Sequence, residues 1–267
     1  MAAQLLEAPR FAVLKTSGVN RDFATQAALE IAGTAADVVH INEFLQKTKR
    51  LADYQGLFLP GGFSHGDDIQ SGVIWALQLH QLADELKEHA LQRKRPIVGI
   101  CNGFQALVQT GLLPFGEMTT RDKLQATLTN NDSGKFESRW IHVKPQKSVC
   151  LFVAEDNTMI FPVAHGEGKF VTSQETYQQM AAASQIVWRY TDEQGNTAQE
   201  KYPANPNGSP HDVAGVTNPE GTVLGGMPHP EDYIRKEHYP NWRRQSNQQE
   251  PDGLRFFKNV VLYARGL

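Results

Sequence analysis

Residues 95–111, RPIVGICNGFQALVQTG, constrain the fold more than any other part of the chain. The run Ile97, Val98, Gly99, Ile100 is short and apolar, and it reads as a buried strand. Residues 102–110 carry helical spacing and stop at Gly111, as a helix ending on glycine does. Between strand and helix sits Cys101, so the segment has the layout of a nucleophile elbow with cysteine in place of serine. Small residues suit so tight a turn, and Gly99 and Gly103 flank it. A lone cysteine is more often a small buried hydrophobe. Placement on the turn, rather than residue type, is what marks Cys101 as a nucleophile.

The preceding chain alternates strands at 11–15, 37–41 and 56–59 with helices over 21–32, about 42–52 and 69–92. Such alternation implies right-handed crossovers and a parallel sheet, with reactive groups at the carboxyl ends of the strands. Both the PGGF of residues 60–63 and Cys101 lie at such ends. From residue 124 the pieces are shorter and antiparallel in character, at 124–129, 140–143, 159–164 and 186–191. The loop 196–211, rich in Pro, Asn and Gly, reads as an exposed, irregular excursion. Residues 213–217 and 222–225 form a hairpin across NPEG, and 254–264 close the chain as a helix. No repeat or linker divides the sequence. The expected architecture is therefore α/β, one domain over residues 1–267, with an open, mainly parallel sheet flanked by helices and an additional antiparallel portion.

Composition narrows the function classes. A net charge of -3 without a basic stripe argues against nucleic acid. Cys101 and Cys150 are the two cysteines, too few for a disulfide framework, and no Cys/His cluster suggests a metal. No apolar run approaches membrane-span length, and the first ten residues lack the layout of a signal peptide. A cytoplasmic, reducing environment is expected, which suits a catalytic thiol.

A thiol becomes a good nucleophile as its thiolate. The start of a helix favours an anion by roughly 0.3–1 kcal/mol, up to about 2 when partly buried, so a general base is still needed. His229, in Pro228-His229-Pro230-Glu231, is the candidate base. Pro230 disfavours helical backbone at His229, and residues two apart in an extended chain share a side, so Glu231 can orient the imidazole. A tetrahedral intermediate needs backbone N–H donors. Gly62, at a strand end, and Asn102, just past the nucleophile, are the candidates for this oxyanion hole.

Three separated segments, PGGFSHGD, GICNGFQ and PHPE, resemble the class I glutamine amidotransferases, whose fold is flavodoxin-like. Asn102 within CNGFQ, HGEG at 165–168 and FESRW at 136–140 are similar to the branch of glutaminase subunits that serves phosphoribosylformylglycinamidine synthase. The resemblance implies hydrolysis of L-glutamine through a γ-glutamyl thioester on Cys101. It also implies a large synthetase subunit, with a small accessory subunit, which takes the ammonia to convert formylglycinamide ribonucleotide in purine biosynthesis. ATP and Mg would belong to that partner, and no cofactor to this chain, which has no GxxxxGK[ST] phosphate loop. Substrate contacts are implied for Gly61, Phe63, Gln105, Phe136, Arg139 and His165, and Glu167 looks pocket-facing or partner-facing. Departures at His65, Asp68, Gln70 and Asp232 flank the motifs and bear on partner contacts. The polar stretch 233–253 looks like that of the long, fused form of the synthase. An amidotransferase of another pathway and a non-catalytic, glutamine-binding homologue remain open alternatives at this point.

Overall fold

The computed structural model describes residues 9–244 and 250–267. Part of the polar stretch, 245–249, and the first eight residues lie outside the described residues. Apolar runs form β1 (Arg10–Lys15), β2 (Ala35–His40), β3 (Gly56–Leu59) and β4 (Ile97–Ile100). Between them lie α1 (Asp22–Ile31), the short α2 (Ile41–Leu45), α3 (Val73–His80) and α4 (Ala83–Lys87). After β4 come α5 (Asn102–Thr110) and the single turn α6 (Leu112–Phe115). Next are β5 (Ala126–Thr129), β6 (Glu137–Pro145), β7 (Met159–His165) and β8 (Lys169–Thr172). Then follow α7 (Gln174–Ala182), β9 (Ile186–Thr191), β10 (Val213–Thr217), β11 (Val223–Gly226) and α8 (Asp252–Arg265).

One sheet runs in the order β2-β1-β3-β4-β11-β10-β9-β6-β7. Its neighbours are parallel from β2 through β11 and antiparallel beyond. β5 and β8 form a separate antiparallel pair. The expected α/β sheet, parallel where the motifs lie and extended by antiparallel strands, is present. β3 and β4 are buried at every position, as strands covered by helices on both faces must be. Phe257 of α8 stacks on Phe58 of β3 with ring centroids 5.2 Å apart, closing the core on that face.

β11 decides the site. It is the last strand in sequence, yet it lies beside β4 in parallel register, with Gly226 opposite Ile100. The Cys101 N–H donates to the Gly226 carbonyl at 2.8 Å, so the ends of the two strands are tied together.

Three expectations are corrected. The helix over 69–92 is broken: Ile69 and Gly72 have positive φ, α3 begins at Val73, and Leu82 has non-helical angles before α4 and a π turn follow. The break keeps Leu79, Leu82, Leu86 and Ala90 all buried. The helix near 42–52 shrinks to α2, followed by a 3-10 turn at Leu51–Asp53. The loop 196–211 is an exposed excursion only in its first half: residues 199–203 are exposed, whereas Asn205, Asn207 and Ser209 are buried. Their side chains satisfy the loop from within: Asn207 donates to the Tyr190 hydroxyl at 2.9 Å and Asn205 to Asp212 at 2.9 Å.

The π turn buries His89 with neither ring nitrogen in a well-formed hydrogen bond, although the Pro96 backbone lies near. Burial, with the Arg95 charge adding to it, pushes the imidazole down to about 3. The unfolded chain therefore takes up a proton that the native state refuses. This contribution to stability is complete above the unfolded value near 6.5 and is lost as pH falls towards 3, at about 1.4 kcal/mol per pH unit. Replacing His89 with Leu is expected to remove that slope. Urea unfolding at pH 6, 5 and 4 would check it, and an unchanged slope would count against it.

Candidate active site

Cys101 sits between β4 and α5 with φ 51° and ψ -105°, in backbone that non-glycine residues rarely adopt. The strain is held in place from both sides. A Cβ at Gly103 would lie 1.9 Å from the Leu59 carbonyl oxygen, so only glycine lets α5 press onto the end of β3. Close approach, rather than backbone freedom, is the reason for glycine there. The thiol is buried, and its Sγ lies 3.6 Å from the Ala164 carbonyl at the end of β7.

β11 delivers His229 to the same place, and the His229 N–H is anchored on the Pro162 carbonyl at 2.9 Å. The imidazole packs against Gly61, where a Cβ would meet the His229 Cε1 at 2.6 Å. His229 Nδ1 is 2.7 Å from Glu231 Oε1, and both residues are buried. The pair forms differently from the extended geometry expected. Pro230–Asp232 is a 3-10 turn, and it swings Glu231 back beneath the ring. His229 Nε2 has no aligned hydrogen bond among the described residues, since the thiol is directed to Ala164. Burial alone would lower the imidazole's proton affinity, but Glu231 and Cys101 outweigh it and raise the pKa well above its ordinary value. Burial, reinforced by Glu231, also pushes the neighbouring Asp232 carboxyl up, while Arg21 approaches it at 3.4 Å.

The loop after β3 supplies the other side. Gly62 has φ +150°, and a Cβ would strike the Val19 Cα at 2.7 Å. It faces Val19 at a position that carries no hydrogen bond of its own. Phe63 N–H donates to Gly18 and Asn20 N–H to Gly61, which leaves the Gly62 N–H free of backbone partners among the described residues. The Asn102 N–H belongs to the first turn of α5, whose donors have no partner within the helix. The Asn102 side chain ties loop to elbow: Oδ1 accepts from Ser64 N–H at 3.0 Å, and Nδ2 donates to Asp67 at 3.2 Å and Gln105 at 2.9 Å.

A cavity of about 160 Å³ opens beside Cys101. Gly62, Phe63, Gln105, Phe136, His165 and Glu167, all singled out in the sequence, line it, and so do Asp67 and Ser71. Phe63 and Phe136, each about half exposed, stand 6.2 Å apart at its mouth. Two expected contacts are not on its wall. Gly61 supports His229 instead, and Arg139 pairs with Glu137 at 2.7 Å and stacks on Tyr202. Gln105 is present but engaged at both ends, by Asn102 and by the Glu167 carbonyl at 2.7 Å. Asp67 was visible in PGGFSHGD and Ser71 just beyond it, but nothing local signalled that either faces a cavity. His229, Glu231 and Asp232 also present ligand atoms within 4.8 Å of one another. A cation there would have to replace the Nδ1–Glu231 hydrogen bond.

Residues 8–264 match the CobB/CobQ-like glutamine amidotransferase domain. The chain is 41% identical to the phosphoribosylformylglycinamidine synthase subunit PurQ of Dehalococcoides mccartyi, over 95% of this chain and 96% of that one. Identity to the PurQ subunit of Methanococcus maripaludis is 36%, over 96% and 98%. Chains of this length thus occur as separate subunits, so the stretch 233–253 does not single out the fused form. Among solved structures, a chain of PurLQS from Thermotoga maritima superimposes with a TM-score of 0.72 at 29% identity, covering 96% of this chain and 99% of that one. The glutaminase domain of Trypanosoma brucei CTPS with bound acivicin shares the fold, with a TM-score of 0.56 at 15% identity, over 96% and 93%.

Proposed function

The chain belongs to the CobB/CobQ-like glutamine amidotransferase family, and from that membership we propose its reaction and the residues that perform it. It is the glutaminase subunit of phosphoribosylformylglycinamidine synthase, hydrolysing L-glutamine to glutamate and ammonia for purine biosynthesis. Its partner is the synthetase subunit, with the small accessory subunit, and the ammonia passes to formylglycinamide ribonucleotide there. ATP and Mg are used by the partner, in the cytoplasm, and residues 1–267 act as one glutaminase domain. Among the described residues no helix is long and apolar enough to cross a membrane.

The observation that carries the assignment of roles is the buried His229–Glu231 pair at 2.7 Å, held beside a cysteine on a strained elbow. The Cys101 proton passes to His229, and sulfur attacks the side-chain amide carbon of glutamine. Gly62 and Asn102 N–H groups receive the oxyanion, each donor worth about 2.7–4 kcal/mol in the transition state. The His229 imidazolium gives its proton to the departing nitrogen, ammonia leaves, and a thioester remains on Cys101. Water, deprotonated by His229, then cleaves the thioester, releasing glutamate and restoring the thiol. Glu231 fixes the ring's orientation throughout.

A γ-glutamyl chloroketone tests the nucleophile. In the assembled complex it is expected to alkylate Cys101 and spare Cys150, whose thiol burial pushes up to about 12. Peptide mass spectrometry reads the site. Label on Cys150, or an active complex that resists the reagent, would reject the assignment.

A further inference from the structure

An oxyanion hole built from Gly62 and Asn102 has its two donors on different segments, one on the loop after β3 and one at the start of α5. Such donors serve one oxygen only when held within about 0.5 Å of the productive geometry. The loop has reason to relax away from it. His65, Asp67 and Ile69 have φ of 53°, 55° and 71°, angles that non-glycine residues keep only where their surroundings over-determine them. On one side the loop is held by the backbone before α1, with Phe63 N–H on the Gly18 carbonyl at 3.0 Å and His65 N–H on the Ser17 carbonyl at 2.8 Å. On the side of the elbow, among the described residues, one side chain makes its hydrogen bonds. Asn102 Oδ1 accepts from Ser64 N–H at 3.0 Å, and Asn102 Nδ2 donates to Asp67 Oδ1 at 3.2 Å.

The orientation of that amide follows from its partners. Ser64 N–H can only donate, so the oxygen faces it and the nitrogen is left for the Asp67 carboxylate and for Gln105 Oε1 at 2.9 Å. Gln105 Nε2 in turn donates to the Glu167 carbonyl at 2.7 Å, which carries the connection on to the segment after β7. Asn102 is fully buried, and both hydrogens of its amide are engaged within the protein. Its side chain therefore serves its neighbours rather than the substrate.

We infer that the Asn102 side chain is a positioning residue for the oxyanion hole: it fixes the loop that carries the Gly62 N–H against the elbow that carries its own N–H. The inference rests on the glutaminase reading of Cys101 and on Gly62 and Asn102 as the donors. One residue thus lends the first donor from its backbone and places the second through its side chain. Leucine is close to asparagine in size, but it would leave the Ser64 N–H buried without an acceptor and the loop without its tie to α5.

The test uses the complex with its synthetase subunit, L-glutamine, and L-glutamate γ-semialdehyde, an aldehyde to which the Cys101 thiol adds, leaving a tetrahedral oxygen where the intermediate's would stand. Wild-type hydrolysis of glutamine, with chloroketone labelling of Cys101, is established first, so a failure of the glutaminase reading is seen separately. Asn102→Leu is expected to lower kcat about 10- to 100-fold, the cost of a donor displaced by about 1 Å, while KM changes less than about threefold. Ki for the semialdehyde should rise by the factor by which kcat/KM falls, because both report the tetrahedral oxygen. Asn102→Asp keeps an acceptor for Ser64 N–H but sets a second carboxylate against Asp67, and a similar loss of kcat is expected. Adding Asp67→Asn restores a donor–acceptor pair with its direction reversed, and it should recover at least about fivefold in kcat over Asn102→Asp alone. A loss carried mainly in KM, or a semialdehyde Ki that stays in place while kcat falls, would overturn the inference. So would a reversed pair that recovers nothing, and that pair decides the matter if Asn102→Leu does not fold.

Discussion

Replacing Cys101 with Ala is expected to lower glutamine-dependent synthesis by at least about 10⁴-fold while ammonia supplied from solution still supports the reaction. The substitution removes one sulfur from a buried site and leaves the β4–α5 turn closed by Gly103 against Leu59. No hydrogen bond that holds β11 to β4 involves the thiol, because the Cys101 N–H makes that contact. The docking surfaces of the subunit should therefore persist. The measurement is product formation by the reconstituted complex with each nitrogen source. Loss of both activities would instead make Cys101 a structural residue.

The change Glu231→Gln is expected to lower turnover by about 10²- to 10⁴-fold and to alter its dependence on pH. Glu231 is buried, Oε1 accepts from His229 Nδ1, and no cation other than that ring reaches it among the described residues. Its charge is the largest influence raising the imidazole's proton affinity against the cost of burial. The departing nitrogen needs that proton, so the wild-type rate should fall only as pH rises through the elevated His229 pKa, well above the ordinary 6.5. Without the carboxylate the alkaline limb should move to lower pH. Stability follows the same sign. The protonated pair's contribution is complete below the unfolded value and vanishes as pH rises through the folded one, and the variant should lack it. A pH profile of glutamine hydrolysis reads the effect, and an alkaline limb that stays in place would refute the role given to Glu231.

Local chemistry left its marks in the sequence wherever one residue's environment is made by its near neighbours. The apolar run 97–100, the helix ending at Gly111 and the cysteine between them spell an elbow without any distant contact. PHPE announced a histidine with a carboxylate two residues on, although a 3-10 turn rather than an extended chain joins them. The break near Leu82 was illegible because the apolar spacing of 69–92 suits one long helix. The burial of residues 205–209 was illegible because Asn and Ser read as solvent-facing until their buried partners are known.

What the sequence set out by itself was the candidate set of reactive groups: Cys101, His229 and Glu231, with glycine at 62 and asparagine at 102. Periodicity and turn chemistry act over a few residues, and these groups are defined over that range. Only the tertiary structure decided that β11, the last strand in sequence, lies beside β4, bringing His229 to a cysteine 128 residues earlier. It likewise moved Arg139 off the cavity wall and put Asp67 and Ser71 onto it. Strand order and side-chain facing are settled by long-range pairing and burial, which no local window of residues contains.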